Sequence, residues 1–477
     1  MSTNISRRKV VAGAAWAAPV VAASAAVPAF AASSEPCKYA AAPKFNISGQ
    51  PSGAKDTVKF TVPAKVDSIR FEVAGGAGGG SNQVPGGSGA LVTGEIPVKA
   101  GQVIELVAAA GGVAYLESVR GVDSPALWQT RPATGGKGYG NGGDVNEQPV
   151  PADVKAQVDA NWSKPSDMKR YLYGGSGGGS SALIIDGTPV AVAGGGGGAG
   201  IRTQPGTNNM PSNSKYYNPK AVDASTTRLS DPDVKSVLPA GASASAAVGD
   251  SAETSISHYT VLKPFASDRT AMKVAGGNGG GNGRGGAGGE QPMLYNDKAN
   301  VRGVLGFTSQ NKQELFSSAT AGDRGGSGFD GKGADGVFAY SYQIDNNDIS
   351  KLEIVHATNP VNLKDKTNLD EDSTRKSFNG YQTVVSAGGG AGYGGGGSGA
   401  ARGLSSIITS QKWNGNEEPT RYRQNVSALL QAGAGGAGGS FVAPSVAEGT
   451  ITSANNAAKQ SGVRNPGYVK VTLCERA

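Results

Sequence analysis

Histidine and cysteine are nearly missing from this chain, with two of each in 477 residues. So few histidines leave an acid–base or metal centre little to work with, and so few cysteines exclude a disulfide-dense scaffold. His258 follows the polar Ser255-Ile256-Ser257 and His356 closes a strand-like segment; neither has a partner at metal-ligating spacing. Aromatic residues are 6% of the chain, too few for a large core of bulky side chains. Net charge is only +7, and no run of Lys or Arg interleaves with aromatics, so a nucleic-acid partner is not expected. Neither a nucleophile elbow nor a paired base is present, so the chain reads as non-catalytic, with no catalytic, metal-ligating or cofactor-binding residue.

One apolar run does exist, at the N-terminus. Ser6-Arg7-Arg8-Lys9 precedes an uncharged, Ala- and Val-rich stretch from Val10 to Val27, and Ala29-Phe30-Ala31 follows as a small-x-small site. A charged head, an apolar middle and an A-x-A site in this order make a cleavable export signal over residues 1–31. Arg7 and Arg8, with the mild Ala-heavy middle, resemble twin-arginine signals of high-GC Gram-positive bacteria, although Val10 and Val11 stand where Phe-Leu is usual. Cleavage between Ala29, Ala31 and the polar residues beyond leaves 446 residues carrying about +4. No later stretch of about 20 apolar residues occurs, so the mature chain is expected to have no membrane span. With no sorting motif or apolar tail at the C-terminus, a secreted protein held to the cell wall non-covalently is expected. Cys37 and Cys474 then sit at opposite ends of the mature chain. An oxidised pair would close a loop worth about 5 kcal/mol at most, forming after export because twin-arginine substrates fold in a reducing cytosol; free thiols or intermolecular links are the alternatives.

What abounds is glycine, 76 residues, more than twice ordinary usage, so something other than side-chain packing must order much of the chain. The glycines are clustered behind strand-like segments. Ser68 to Val73 alternates and runs into Gly75–Gly80; Ala90–Val98, a turn at Lys99–Gln102 and Val103–Val107 read as a hairpin; Ala182–Ile185 and Thr188–Val192 form another around Asp186-Gly187, ahead of Gly194–Gly198. The pattern recurs at Ala271–Gly277, at Gly336–Tyr340 paired with Leu352–Val355, and at Gln382–Gly390. Two modules follow, 32–200 and 266–477, separated by a polar insertion or linker at 201–265, with helix scarce throughout. Glycine runs serve as linkers, as phosphate cradles or as packed polyproline II helices. Runs abutting strands in parallel positions favour packed helices, whose missing Cβ atoms let backbones exchange hydrogen bonds.

Phe60-Thr61-Val62-Pro63 through Val73-Ala74-Gly75-Gly76-Ala77-Gly78-Gly79-Gly80, then Gly89–Val92, Val98–Val107 and the closing Gly467–Val471, resemble the glycine-rich domain of many bacterial surface and phage tail proteins. A similar module occurs in the anaplastic lymphoma kinase ectodomain and in phage tail adhesins. The resemblance implies an all-β fold, a jelly-roll-like β-sandwich or two, with polyglycine II helices inserted between strands. Its second copy lacks the Phe-Thr-Val-Pro opening, so the halves either form two sandwiches or interleave in one. Gly325–Phe329 and Asp330, with Asp323 and Asp335 beside them, imitate a calcium-binding nonapeptide, but Lys332 fills the apolar slot and no second repeat follows. Ligand contacts are expected on the long loops, at Trp128, Trp162, Tyr216, Tyr217 and Trp413, where exposed aromatics suit glycans or protein surfaces; capping of the glycine runs is their alternative role. The partners expected are cell-envelope or host glycans or surface proteins.

Overall fold

The computed structural model describes residues 37–80, 85–118, 128–149, 152, 170–204, 215–217, 243–244, 252–256, 270–292, 318–343, 380–409, 424–457 and 460–476. Every element named among them is a strand, so the fold is all-β.

Two six-stranded antiparallel sheets carry the main core. One runs Lys38–Tyr39, Tyr468–Glu475, Val66–Ala74, Ala90–Pro97, Ala447–Ser453, with Phe45–Ser48 also on the Tyr468–Glu475 strand. The other runs Ser243–Ala244, Ser440–Val442, Thr188–Ala193, Ser181–Ile185, Val103–Ala108, Asp56–Thr61. Alternation decides the faces. In Val66–Ala74, Ile69, Phe71 and Val73 turn inward while Arg70 and Glu72 turn out. Register places Val471 opposite Phe71 and Val469 opposite Val73. Across the gap they meet Ile104, Leu106, Leu183 and Ile185 in one aliphatic cluster, so the sheets form a sandwich. Strands 38–108 and 181–193 come from one side of the 201–265 segment and strands 440–475 from the other.

The Asp186-Gly187 hairpin forms as expected, with both residues at positive φ (49° and 79°) as a type I′ turn requires. The hairpin expected over Ala90–Val107 does not. Both strands exist, but Ala90–Pro97 lies in the first sheet and Val103–Ala108 in the second, so 98–102 crosses the sandwich. The physical reason is that each strand finds another partner, Val66–Ala74 for the first and Ser181–Ile185 for the second. The Leu352–Val355 segment lies outside the described residues; among the described ones Phe338–Gln343 pairs with Gly380–Val385.

A second pair of sheets is smaller. Gln424–Ala432 and Ala401–Thr409 pair over their full length, flanked by Ile201–Gln204, Lys215–Tyr217 and Ala319–Thr320. They face a three-stranded sheet in which Arg170–Tyr173 runs parallel to Gly380–Val385. Leu172, Ile201, Val384 and Leu430 fill the space between.

Between these two sheet systems lie the glycine runs. Residues 174–180, 194–200 and 433–439, seven apiece, each lead from a strand of the smaller pair to a strand of the sandwich or back. Residues 321–336 and 387–400 instead enter from the smaller pair, turn and return to it, and 275–292, which follows the two-stranded sheet of Ala252–Ile256 and Thr270–Val274, also turns back on itself. All three turns carry positive φ, at Asn282-Gly283, Gly328 and Gly394.

Candidate functional site

Three features of this frame bear on function: the glycine bundle, the end where the first and last described strands are joined by the disulfide, and the end where the long loops are attached.

Hydrogen bonds within the bundle follow a period of three. Along 174–180, the amides of Gly175 and Gly178 donate to Ala199 and Gly196 (2.8 and 2.9 Å). Those of Ser176 and Gly179 donate to Val113 and Ala110, and those of Gly177 and Ser180 to Gly143 and Gly140. One run therefore serves three neighbours in rotation. The run 387–393 does the same: Gly388 and Ala391 donate to Gly175 and Gly178, Gly389 and Gly392 to Ala334 and Gly331, Gly390 and Tyr393 to Gly436 and Gly439. Backbone groups that would otherwise be buried and unpaired are satisfied this way.

Most of these glycines have ordinary φ, so it is the absent Cβ that matters. A methyl placed on Gly177 would land on the Gly389 carbonyl, on Gly196 the Gly87 carbonyl, on Gly435 the Gly388 carbonyl. Each obstacle is backbone held by its own hydrogen bonds.

Serine is the polar residue tolerated in the fully buried runs, and it works as a plug at their joints. Ser181 accepts from the Ala109 amide (2.9 Å) and donates to the Ala74 carbonyl (2.6 Å). Ser176 accepts from Val113 N and donates to Thr134 O, both at 2.9 Å. Ser180, Ser386, Ser398 and Ser440 accept from the amides of Gly140, Val337, Asp323 and Gly194. Sequence reasoning passed over them, although each lies inside or next to a glycine cluster.

Aromatic caps exist at residues other than the five named from the sequence. Phe329 stacks on Tyr393 (centroids 4.6 Å) and meets Phe441 edge-on (5.0 Å). With Tyr139, Phe329 and Phe441 cover Val107, Ala182, Ile184 and Val192 on the outer face of the second sheet. This explains why Ser181–Ile185 is buried on both faces.

At the terminal end, Cys37 and Cys474 form a disulfide, their Cα atoms 5.3 Å apart. It ties the start of the described chain to the last strand, beside the pair Tyr39–Cys474. Next to it, Tyr39 Oη lies 2.9 Å from Ser68 Oγ, which donates to Glu95 (3.4 Å), and the Arg70 guanidinium covers the Tyr39 ring at 4.1 Å. Burial, aided by Glu95, pushes the Tyr39 hydroxyl up to about 12. Farther along, Arg464 donates to Gly111 O (2.7 Å) and to Thr134 O and Oγ1 (both 2.9 Å), and burial lowers its pKa.

At the opposite end, Trp128 opens the Trp128–Arg131 strand paired with Tyr115–Ser118, and Tyr216 and Tyr217 pair with Thr203 and Arg202. Trp162 and Trp413, the two histidines, and Arg7, Arg8, Ala29 and Ala31 lie outside the described residues. Of the acidic residues near 330, Asp335 accepts the Asp144 amide (2.7 Å) and pairs with Lys332 (2.8 Å), while Asp144 accepts from Gly135 N. Asp335 thus fastens two glycine runs together. Among the described residues no helix is long and apolar enough to cross a membrane.

In comparisons with known proteins, no family model matches the chain and no curated protein matches it.

Proposed function

We propose that this chain is an exported, non-catalytic structural and interaction protein of the bacterial envelope, a rigid scaffold that presents recognition loops from one end. The observation that carries this reading is the path of the chain. Segments 119–127, 153–169, 205–214, 257–269, 293–317, 344–379 and 410–423 are all joined to described strands or runs at the end away from the disulfide. Two others, 218–242 and 245–251, are joined instead to Ser243–Ala244 of the sandwich. A bundle that converges this many connections on one end suits loops held by a stiff frame.

The three-residue hydrogen-bond period supports reading the runs as polyglycine II helices, each seven-residue pass about 22 Å long at the polyproline II rise. The two facing antiparallel sheets support a jelly-roll-like sandwich. Arg7, Arg8, Ala29 and Ala31 support export through a twin-arginine-type signal, and the oxidised Cys37–Cys474 pair fits an extracytoplasmic home.

A second reading, a carbohydrate-binding or adhesin module, draws support from Trp128, Tyr216 and Tyr217 standing on strands at the loop end. One experiment separates the two. Labelled mature chain is applied to intact cells of the producing species and to a glycan array. Retention on the cell wall without array hits is expected; array hits transfer the assignment to the second reading, and binding to neither overturns both.

A further inference from the structure

A backbone-bonded bundle faces the problem of an open sheet: its last run exposes amides that template another run. We infer that the outward residues of two outer runs, 283–289 and 322–328, end the bundle on their face, keeping a second copy of this chain from adding its own glycine runs there.

Amides of Gly322, Gly325 and Gly328 donate to Gly289, Gly286 and Gly283, which sets 283–289 and 322–328 side by side. On the first, Arg284, Ala287 and Glu290 are exposed; on the second, Ala321, Arg324 and Ser327. Both sets recur every third residue, and every member carries a side chain. Between them the buried positions are glycine, as at Gly285, Gly286, Gly289 and Gly325. The amides of Arg324 and Ser327 donate to no other described residue, so a template is present on this face. What it lacks is room. Within the bundle a single methyl on Gly325 would fall on the Gly395 carbonyl. The Cβ atoms at 321, 324 and 327 stand in the same relation to any incoming backbone. By contrast, the interior run 433–439 has nothing larger than alanine, and neighbours approach it from every side.

The test uses the full mature chain. Ala321→Gly, Arg324→Gly and Ser327→Gly together remove the barrier, and sedimentation velocity follows mass against concentration. The expected result is a single-chain mass for wild type and at least a twofold rise in weight-average mass for the triple variant. Arg324→Ala with Ser327→Ala retains the methyls and should remain at the wild-type mass. A triple variant that melts like wild type and stays monomeric overturns the inference. So does an alanine variant that associates, since charge and hydration would then be the barrier. If the triple variant loses its cooperative melt, Arg324→Gly alone carries the same test with the same two outcomes.

Discussion

In the sandwich, the interior is made of side chains: Ile69, Phe71, Ile104, Leu106, Leu183 and Ile451 are all fully buried and interdigitate between two sheets. In the bundle a few residues away, the interior is made of main chain, and the runs 174–180, 194–200 and 433–439 hold nothing larger than serine. The two regions answer the same requirement with opposite materials. Apolar area removed from water orders the first. Paired amides and carbonyls at close approach order the second, and each pair contributes only about 1 kcal/mol net. Tolerance differs accordingly. A sandwich forgives hydrophobic exchanges of similar volume, whereas a bundle of backbones has no rotamer to adjust.

The largest effect belongs to the sandwich alone. Reduction of Cys37–Cys474, or Cys37→Ser with Cys474→Ser, should lower stability by about 4–5 kcal/mol, near the upper end for a native bridge. Denaturant melts with and without reductant measure it. If the bundle folds as one unit with the sandwich, hydrogen exchange at 174–180 should accelerate in step; unchanged protection there would split the molecule into two cooperative parts.

Next comes a direct contrast of materials. Gly177→Ala should cost about 3 kcal/mol, because its methyl meets the Gly389 carbonyl and the Gly143 amide, both locked in the network. Gly94→Ala in the sandwich meets side chains, Val446 and Phe71, which can shift, and should cost about 1 kcal/mol. Equal costs by thermal melting would remove the distinction between the two interiors.

The serine joints sharpen the comparison further. Ser181→Ala strands the Ala109 amide in a dry interior, takes one donor from the Ala74 carbonyl and should cost about 2 kcal/mol. Ser181→Thr keeps the hydroxyl but adds a methyl against neighbouring backbone, so it should not rescue fully.

Much of the sandwich was legible because alternation reveals faces: Ser68–Val73, the Asp186-Gly187 hairpin and Tyr468–Leu473 all lie where the pattern put them. The terminal cysteines pointed to their bridge for a different reason, since two thiols expected outside the cell are expected to oxidise as a pair. Pairing was not legible. Alternation in Val103–Val107 says that one face is buried, not which neighbour it takes, and proximity in sequence wrongly favoured Ala90–Val98. At the candidate site, the composition of the glycine runs is a further signal. Runs restricted to Gly, Ala and Ser, apart from the Tyr393 turn, are interior, and those admitting Asn, Arg or Glu at every third place lie on the surface. The caps Phe329, Tyr393 and Phe441 are single aromatics in or beside glycine clusters, a signal open to the same reading.

The smallest expected effect is a pH dependence centred on the sandwich. Tyr39 ionises near 10 when unfolded and at about 12 in the fold, where burial and Glu95 disfavour the phenolate. Between those values the folded state holds a proton that the unfolded state has lost, so stability falls as pH rises through this window. Burial also raises Tyr139 and Tyr468, so the slope is shared among three hydroxyls, and Tyr468 belongs to the same sheet as Tyr39. Tyr39→Phe removes one share, together with the contact to Ser68. Below pH 9 the variant should therefore be slightly less stable than wild type, and the gap should narrow between pH 10 and 12 as wild type loses what the variant never had. Denaturant midpoints at pH 8, 10 and 11 read this out. A gap that stays constant would mean that the phenol ionises no later in the fold than in the unfolded chain, and the buried corner beside the disulfide would have to be open to water.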